Sequence, residues 1–139
     1  MLIPYPYRKG ADTKLATFYY FNTEDSDQYS VRFFHLGEIQ SKKKLMDCYS
    51  IAFMISQQNG DTIVINKGRF YRTISTVICI MKEFMAVKSP KKIYISPTES
   101  FRKDRRRFRI YKYYIKKLLP LDYKAKRQFL SRTFILEKC

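Results

Sequence analysis

A chain of 139 residues that is 45% apolar and 17% aromatic can build one domain around a hydrophobic core and is too apolar to remain disordered. Its 28 Lys and Arg residues outnumber 12 Asp and Glu residues, and the resulting net charge of +16 should attract polyanions. No run approaches the roughly 20 apolar residues of a membrane span, and the proline-rich start lacks the apolar stretch of a secretion signal. We therefore expect a cytoplasmic protein of a bacterium or an infected host cell, or a virion-associated one.

Cysteine and histidine are too sparse to predict a metal site. Cys48, Cys79 and Cys139 are widely spaced, and His35 is the one histidine, whereas a structural zinc site needs four such ligands at short paired spacings. The acidic segment Glu24–Asp27 lacks the spacing of a calcium loop and is interpreted as a solvated turn. The glycines are too far apart for a phosphate loop. The sequence therefore predicts no metal and no other cofactor, and the thiols are expected to be reduced and mostly buried.

The first half of the chain has the pattern of strands. Residues 1–10 are expected to form an extended N-terminal arm, because Pro4 and Pro6 exclude a helix. After the arm, β-branched and aromatic residues alternate with polar ones, which is typical of strands with one buried face. Asn59 and Gly60 give the strongest hairpin signal in the chain. The predicted strands are Lys14–Asn22, Gln28–Leu36 (ended by Gly37), Asp47–Ser56 (after a basic loop at Ser41–Lys44), Asp61–Asn66 and, later, Lys92–Ile95.

In two segments the apolar period changes from two to about 3.6, which predicts helices. The first is Phe70–Lys88. The second is Ser96–Pro120, where Ser96 is a candidate N-cap, Pro97 suits the first helical position and Pro120 marks the end. This basic helix is expected to turn Tyr113 and most of its cations to solvent. The side chains expected on its buried stripe are Phe101, Phe108, Tyr111, Tyr114, Ile115, Leu118 and Leu119.

Residues 121–139 follow as a C-terminal tail. Within it, Asp122–Leu130 is compatible with a short helix, and Arg132–Leu136 with a final strand or an extended arm. No repeat, linker or composition break divides the chain, so residues 1–139 are interpreted as a single domain. Strands that precede helices predict the α+β class. We expect a mainly antiparallel sheet of four to five strands with two helices packed on one face, the other face being solvated or covered by a partner.

The segment Ser96–Pro120 carries the strongest functional signal. It holds nine Lys and Arg residues, opposed only by Glu99 and Asp104, which is denser than solubility requires. Cations on a solvated helix face are suited to the phosphate backbone of nucleic acid, where such contacts position the ligand without reading its sequence. The predicted nucleic-acid-binding residues are Arg102, Lys103, Arg105, Arg106, Arg109, Lys112, Tyr113 and Lys116.

Four short motifs between Asn59 and Leu119 suggest a relationship. They are the Asn-Gly-Asp hairpin at 59–61, Thr73–Val77 at the start of a helix, the strand Ile93–Ser96 and the basic segment Arg107–Tyr111. In these motifs the chain resembles a small domain family of Bacteroidetes-type bacteria and their phages, although its run of Arg and Lys is much denser. The resemblance covers less than half of the chain. It implies a strand–helix–strand–helix order and a bacterial or phage source, and it implies no activity.

The leading interpretation is a non-enzymatic basic protein that binds nucleic acid, RNA or DNA. One alternative is a structural or assembly protein of a phage or larger complex, which would dock on an acidic partner or form a homo-oligomer. Another is an RNA-cleaving toxin or effector that needs no metal, because cations can stabilise the charge of a phosphorane. His35 is interpreted as a structural strand residue, since a lone histidine carries little signal. In the RNA-cleaving alternative, the residues that could supply the chemistry are Arg102, Arg105, Arg106, Arg109, Tyr111 and His35.

Overall fold

The computed structural model describes residues 3–24, 28–55, 67–95, 105–118, 120, 122–127 and 134–139. Within these ranges the chain forms one sheet of seven strands and two helices, so the predicted α+β class is confirmed, but the predicted number of four to five strands is too low. The elements in chain order are β1 (Tyr7–Asp12), β2 (Ala16–Asn22), β3 (Gln28–Ser41), β4 (Lys44–Ile55), α1 (Lys67–Lys88), β5 (Lys92–Ile95), α2 (Arg105–Leu118), β6 (Tyr123–Arg127) and β7 (Phe134–Lys138).

The order of strands across the sheet is β1-β2-β3-β4-β5-β7-β6. Neighbouring strands are antiparallel except β4 and β5, which are parallel. A parallel pair needs a long crossover connection, and α1 lies in the chain between these two strands. The first four strands therefore form a meander, and the last three extend the sheet beyond the crossover.

Three strands were not predicted as such. Residues 7–10 of the expected arm belong to β1, which is almost fully exposed and has no alternating apolar pattern; it pairs with β2 at the sheet edge. The short helix considered at Asp122–Leu130 is wrong over Tyr123–Arg127, which forms β6; residues 128–130 lie outside the described part. Of the two alternatives for the last segment, the strand is found, as β7. β1 and β6 each pair with the strand that follows them in the chain, whereas β7 also pairs with β5, which precedes α2, and no local pattern reveals this remote pairing.

The strand β3 runs past Gly37, where the sequence predicted its end. The register between β3 and β4 shifts between His35 and Gly37, and Gly37 has a φ of 135°. A glycine tolerates this backbone conformation, so the strand continues through a bulge instead of stopping. The turn that follows is tighter than the predicted loop: Lys42 and Lys43 both have positive φ, as the central residues of a two-residue hairpin of type I′ require. The predicted Asn59-Gly60 hairpin and return strand lie outside the described residues.

One face of the sheet forms the core. In β2, Thr17, Tyr19 and Phe21 are buried, and the residues between them are half-buried. This alternation continues in register across most of the sheet, as expected for strands with one face in the core, and is interrupted at Ser30 and Cys48, which are buried on the other face. We call this the helix-covered face; it carries Thr17, Tyr19, Phe21, Tyr29, Val31, Phe33, Tyr49, Ile51, Ile93, Ile95, Tyr123, Phe134 and Leu136.

Both helices pack on the helix-covered face. Phe84 of α1 stacks on Phe33 with ring centroids 3.8 Å apart, and it meets Tyr49 edge to face at 4.8 Å. In α2, Ile115 joins the same core, and the ammonium of Lys116 lies 5.7 Å from the ring centroid of Phe134. The opposite surface, which neither described helix covers and which we call the open face, carries Arg8, Ala16, Phe18, Tyr20, Ser30, Arg32, Phe34, Cys48, Ser50, Ala52, Lys92, Tyr94, Lys124, Lys126, Ile135 and Glu137. Ser30 and Cys48 are buried.

The segment before β1 is docked against α1. Tyr5 is buried, and its backbone N–H donates a 2.8 Å hydrogen bond to the hydroxyl of Thr76. Its phenol donates a hydrogen bond to Glu24, and Arg72 pairs with the same carboxylate at 2.8 Å while its guanidinium lies 4.0 Å from the Tyr5 ring centroid. Glu24, which the sequence assigned to a solvated turn, thus holds this segment to α1; residues 25–27 lie outside the described part.

Asp12 joins the end of β1 to α1. Its carboxylate lies 3.0 Å from the ammonium of Lys9 and 3.1 Å from that of Lys88, and it accepts a 2.9 Å hydrogen bond from Thr17. Hydrogen bonds from Lys9, then from Lys88 and Thr17, lower the pKa of Asp12 to about 2. Since the folded pKa is below the ordinary value of 3.8, this carboxylate stabilises the fold above about pH 4, and the contribution disappears as pH falls towards 2.

We expect Asp12→Asn to destabilise the protein at pH 7 by less than about 1 kcal/mol, because ion pairs this exposed are screened by solvent. Urea unfolding of both proteins should show that their difference shrinks between about pH 4 and pH 2. Glu38→Gln is the matched control, since Glu38 is exposed and has no ion pair among the described residues. A difference between Asp12→Asn and the natural protein that stays constant over this pH range would contradict the assignment.

Candidate nucleic-acid interface

Four side chains of α2 form one exposed stripe. Arg109, Tyr113, Lys116 and Lys117 are exposed and follow one another at the i, i+4, i+7 and i+8 spacing that places residues on the same side of a helix. The opposite side is anchored: Ile115 is buried, and Tyr114 and Leu118 are half-buried against the core. The aromatic and aliphatic residues therefore fix the orientation of α2, and this orientation turns the cations outward.

Tyrosines border the N-terminal part of this stripe, around Arg109 and Tyr113. Tyr71 of α1 meets Tyr114 edge to face at 6.1 Å, and Tyr114 meets Tyr113 in the same way at 5.4 Å. Together with Arg109 these rings line an open concavity of about 250 Å³. The ammonium of Lys117 lies 5.8 Å from the ring centroid of Tyr113. The concavity thus combines a guanidinium for an anion with an aromatic ring that is 59% exposed and can stack on a planar group.

No carboxylate of the described residues neutralises the cations of this stripe. Within the described ranges, no ion pair involves Arg109, Lys116 or Lys117. Elsewhere several cations are paired: two lysines bind Asp12, one arginine binds Glu24, and two lysines share Glu137. The unpaired charge on α2 is therefore available for an external anion.

The eight predicted binding residues differ in how much of each the structure describes. Arg102 and Lys103 lie outside the described part of the chain. The backbone of α2 includes Arg105, Arg106 and Lys112, whose side chains also lie outside it. The three remaining predicted residues, Arg109, Tyr113 and Lys116, are exposed on one stripe.

Three residues of the concavity and stripe, Tyr71, Tyr114 and Lys117, were not among the predicted binding residues. Lys117 stands four residues after Tyr113, a spacing that the sequence already contains. Tyr71 comes from α1, and only the packing of the two helices brings it to Tyr114. The expectation that Tyr113 faces solvent is confirmed; Tyr114, expected in the core, is half-buried, and Tyr111 has no described side chain.

His35 lies apart from this stripe. Its Nε2 is 2.8 Å from a carboxylate oxygen of Asp47, and its ring meets Tyr49 edge to face at 5.2 Å. The described side-chain partners of His35 belong to β4 and its backbone N–H donates to the carbonyl oxygen of Leu15, whereas the residues that line the concavity with Arg109 belong to the two helices. Among the described side chains, His35 therefore does not meet Arg109; the side chains of the other arginines named for RNA cleavage lie outside the described part of the chain.

Thiols and acidic groups show no assembled site. The three cysteines are unpaired thiols; Cys48 is buried, which raises the pKa of its thiol, and Cys139 is exposed. Only one of them is fully buried, although most were expected to be. Over the ranges given above, no cluster of His, Cys, Asp and Glu side chains is suited to holding a metal ion.

No family model, curated protein or solved structure matches this chain. Neither described helix has the length and apolar character needed to cross a membrane.

Proposed function

We propose that the protein is a non-enzymatic nucleic-acid-binding protein that contacts the phosphate backbone through α2. The observation that carries this proposal is the stripe on α2 in which Arg109, Lys116 and Lys117, which form no ion pair with any described residue, lie on either side of the exposed ring of Tyr113. A net charge of +16 adds a long-range attraction for any polyanion.

The stripe suits a phosphate backbone better than an isolated small anion. Its cations are spread along more than two turns of helix, so they can meet successive phosphates rather than converge on one group. Contacts of this kind hold the ligand in place and carry no base sequence. The ring of Tyr113 adds a surface on which a base can stack, and every base offers such a π-face. We therefore expect strong binding with little sequence preference.

Binding to a labelled single-stranded RNA and to a DNA duplex, measured over a series of salt concentrations, tests the proposal. If about six cations of the α2 region meet phosphates, log K should fall with log salt with a slope of about −4 to −5, because each contact releases condensed counterions. The probe should remain intact. An affinity that does not change with salt, or no binding at physiological salt, would refute phosphate-backbone contact. Cleavage of the probe would instead support the RNA-cleaving alternative.

A further inference from the structure

The open face of the sheet bears aromatic rings on three of its strands. Phe18 and Tyr20 of β2 and Tyr94 of β5 are half-buried, and Phe34 of β3 is 37% exposed. Both helices lie on the other side of the sheet, so neither covers these rings. A sheet with one helix-covered face and aromatic residues on the other has the architecture needed to stack unpaired bases.

The register leaves room between two of the rings. Ser50 of β4 stands between Phe34 on one side and Tyr94 on the other. Since neighbouring strands are about 4.8 Å apart, the Cα atoms of Phe34 and Tyr94 lie roughly 10 Å apart across the small serine. Ala52, the next residue of β4 on this face, is equally small. The register therefore places Phe34 and Tyr94 two strands apart near the centre of the sheet, with small residues between them, a spacing that a flat ligand can bridge.

Cations accompany the aromatic rings. The guanidinium of Arg8 lies 5.5 Å from the ring centroid of Tyr20, and that of Arg32 lies 5.0 Å from the ring centroid of Phe18. The Nε of Arg32 is buried and has no hydrogen-bond partner among the residues that the structure describes. Lys92, Lys124 and Lys126 add positive charge, and Glu137, which pairs with two of them, is the one carboxylate among the residues assigned to this face.

The charge favours a nucleic acid over a protein. Two arginines beside the rings of β2 and three lysines on β5 and β6 stand against one described carboxylate on this face, and such an excess of positive charge attracts a polyanion. Lysine is also depleted in protein interfaces. A single strand is favoured over a duplex because only unpaired bases present their faces to a flat sheet.

The open face is also connected to α2. Lys124 and Lys126 lie on the open face of β6, which is the edge strand. On the helix-covered face of the neighbouring strand β7, Lys116 of α2 lies over the ring of Phe134. A backbone held by α2 can therefore turn around this edge and continue onto the open face.

We infer that the open face is a second binding surface, which takes the bases of a single-stranded nucleic acid, with Phe34 and Tyr94 as its stacking residues. The inference rests on the proposed function, because it assumes that the backbone of the same strand is bound by α2. It deepens that function by naming the ligand as single-stranded.

Binding of Phe34→Ala/Tyr94→Ala to a single-stranded oligouridine and to a DNA duplex tests the inference. The affinity for the single strand should fall about 10- to 100-fold, the range for loss of base stacking, while duplex affinity and the salt slope stay unchanged because no cation is removed. The matched control is Leu36→Ala/Leu45→Ala, which truncates two side chains that are 57% and 62% exposed and should leave single-strand binding unchanged. Thermal unfolding of each variant reports whether it folds.

Photocrosslinking of the natural protein to an oligonucleotide containing 5-iodouridine needs no variant. Crosslinks mapped by mass spectrometry to Phe34 or Tyr94 would support the inference even if the double variant fails to fold. Crosslinks confined to α2, or single-strand affinity unaffected by the double substitution, would overturn it and leave the proposed function standing. A natural protein that binds neither probe at any salt concentration would refute both. If the natural protein is a dimer, if the double substitution makes it monomeric, and if neither ring is crosslinked, the open face would be the contact between two copies of the chain. That result would overturn the inference.

Discussion

Replacing Phe84 with alanine should lower the free energy of unfolding by about 3–5 kcal/mol, the range measured for truncating large aromatic residues in protein cores. Phe84 is fully buried, stacks on Phe33 and meets Tyr49 edge to face, so its loss leaves a cavity between α1 and the centre of the sheet. Because whole domains are stable by only about 5–15 kcal/mol, we expect a large decrease in the urea concentration at the midpoint of unfolding.

Far-UV circular dichroism during urea unfolding measures this change without a tryptophan, which the chain lacks. Val87 lies three residues further along α1 but is 61% exposed, so Val87→Ala should change stability by no more than about 0.5 kcal/mol. If Phe84→Ala cost less than about 1 kcal/mol, the packing of α1 on this sheet face would be wrong.

Removing three cations from α2 should have the largest effect on binding. In Arg109→Gln/Lys116→Gln/Lys117→Gln, each substitution removes an exposed cation with no carboxylate partner among the described residues. If each cation meets one phosphate, the slope of log K against log salt for a single strand should become shallower by about 2, and affinity at physiological salt should fall at least about tenfold. Fluorescence anisotropy over a salt series measures both quantities.

The control for this variant must remove the same charge from a different place. Lys42→Gln/Lys43→Gln/Lys44→Gln removes three exposed lysines from the β3–β4 turn. If binding depends on α2, the control should retain a steep salt slope. Its slope should differ from that of the natural protein by less than about 0.7, which is the change expected for the loss of one phosphate contact. An equal loss in both variants would mean that the net charge, rather than the placement of cations on α2, determines binding.

The sequence was most informative where a segment carries its own periodic pattern. The strand at Lys92–Ile95 was predicted with the bounds it has, and the second half of the basic helix is found in α2. Local chemistry decided these elements, since β-branched and aromatic residues favour strands and a 3.6-residue apolar period favours a helix. The same helical period placed Tyr113 on the exposed side of α2.

Sequence patterns failed where pairing or packing outweighs local preference. The segment Tyr7–Asp12 is nearly all exposed and polar, yet it becomes a strand because β2 offers an unpaired edge. Gly37 was predicted to end β3, but its freedom to adopt positive φ allows a bulge instead. Tyr71 could not be assigned to the candidate site, because its contact with Tyr114 exists only once the two helices pack together.

The sequence by itself determined the α+β class, the strong positive charge and the helix on which much of that charge is concentrated. These properties follow from composition and from periods of two and 3.6 residues, which act over a few neighbouring positions. The tertiary structure decided the number and order of strands, the docking of the segment around Tyr5 on α1 and the division of the sheet into a helix-covered and an open face. These depend on contacts between residues distant in the chain, whose pairing is selected by the burial of a common core.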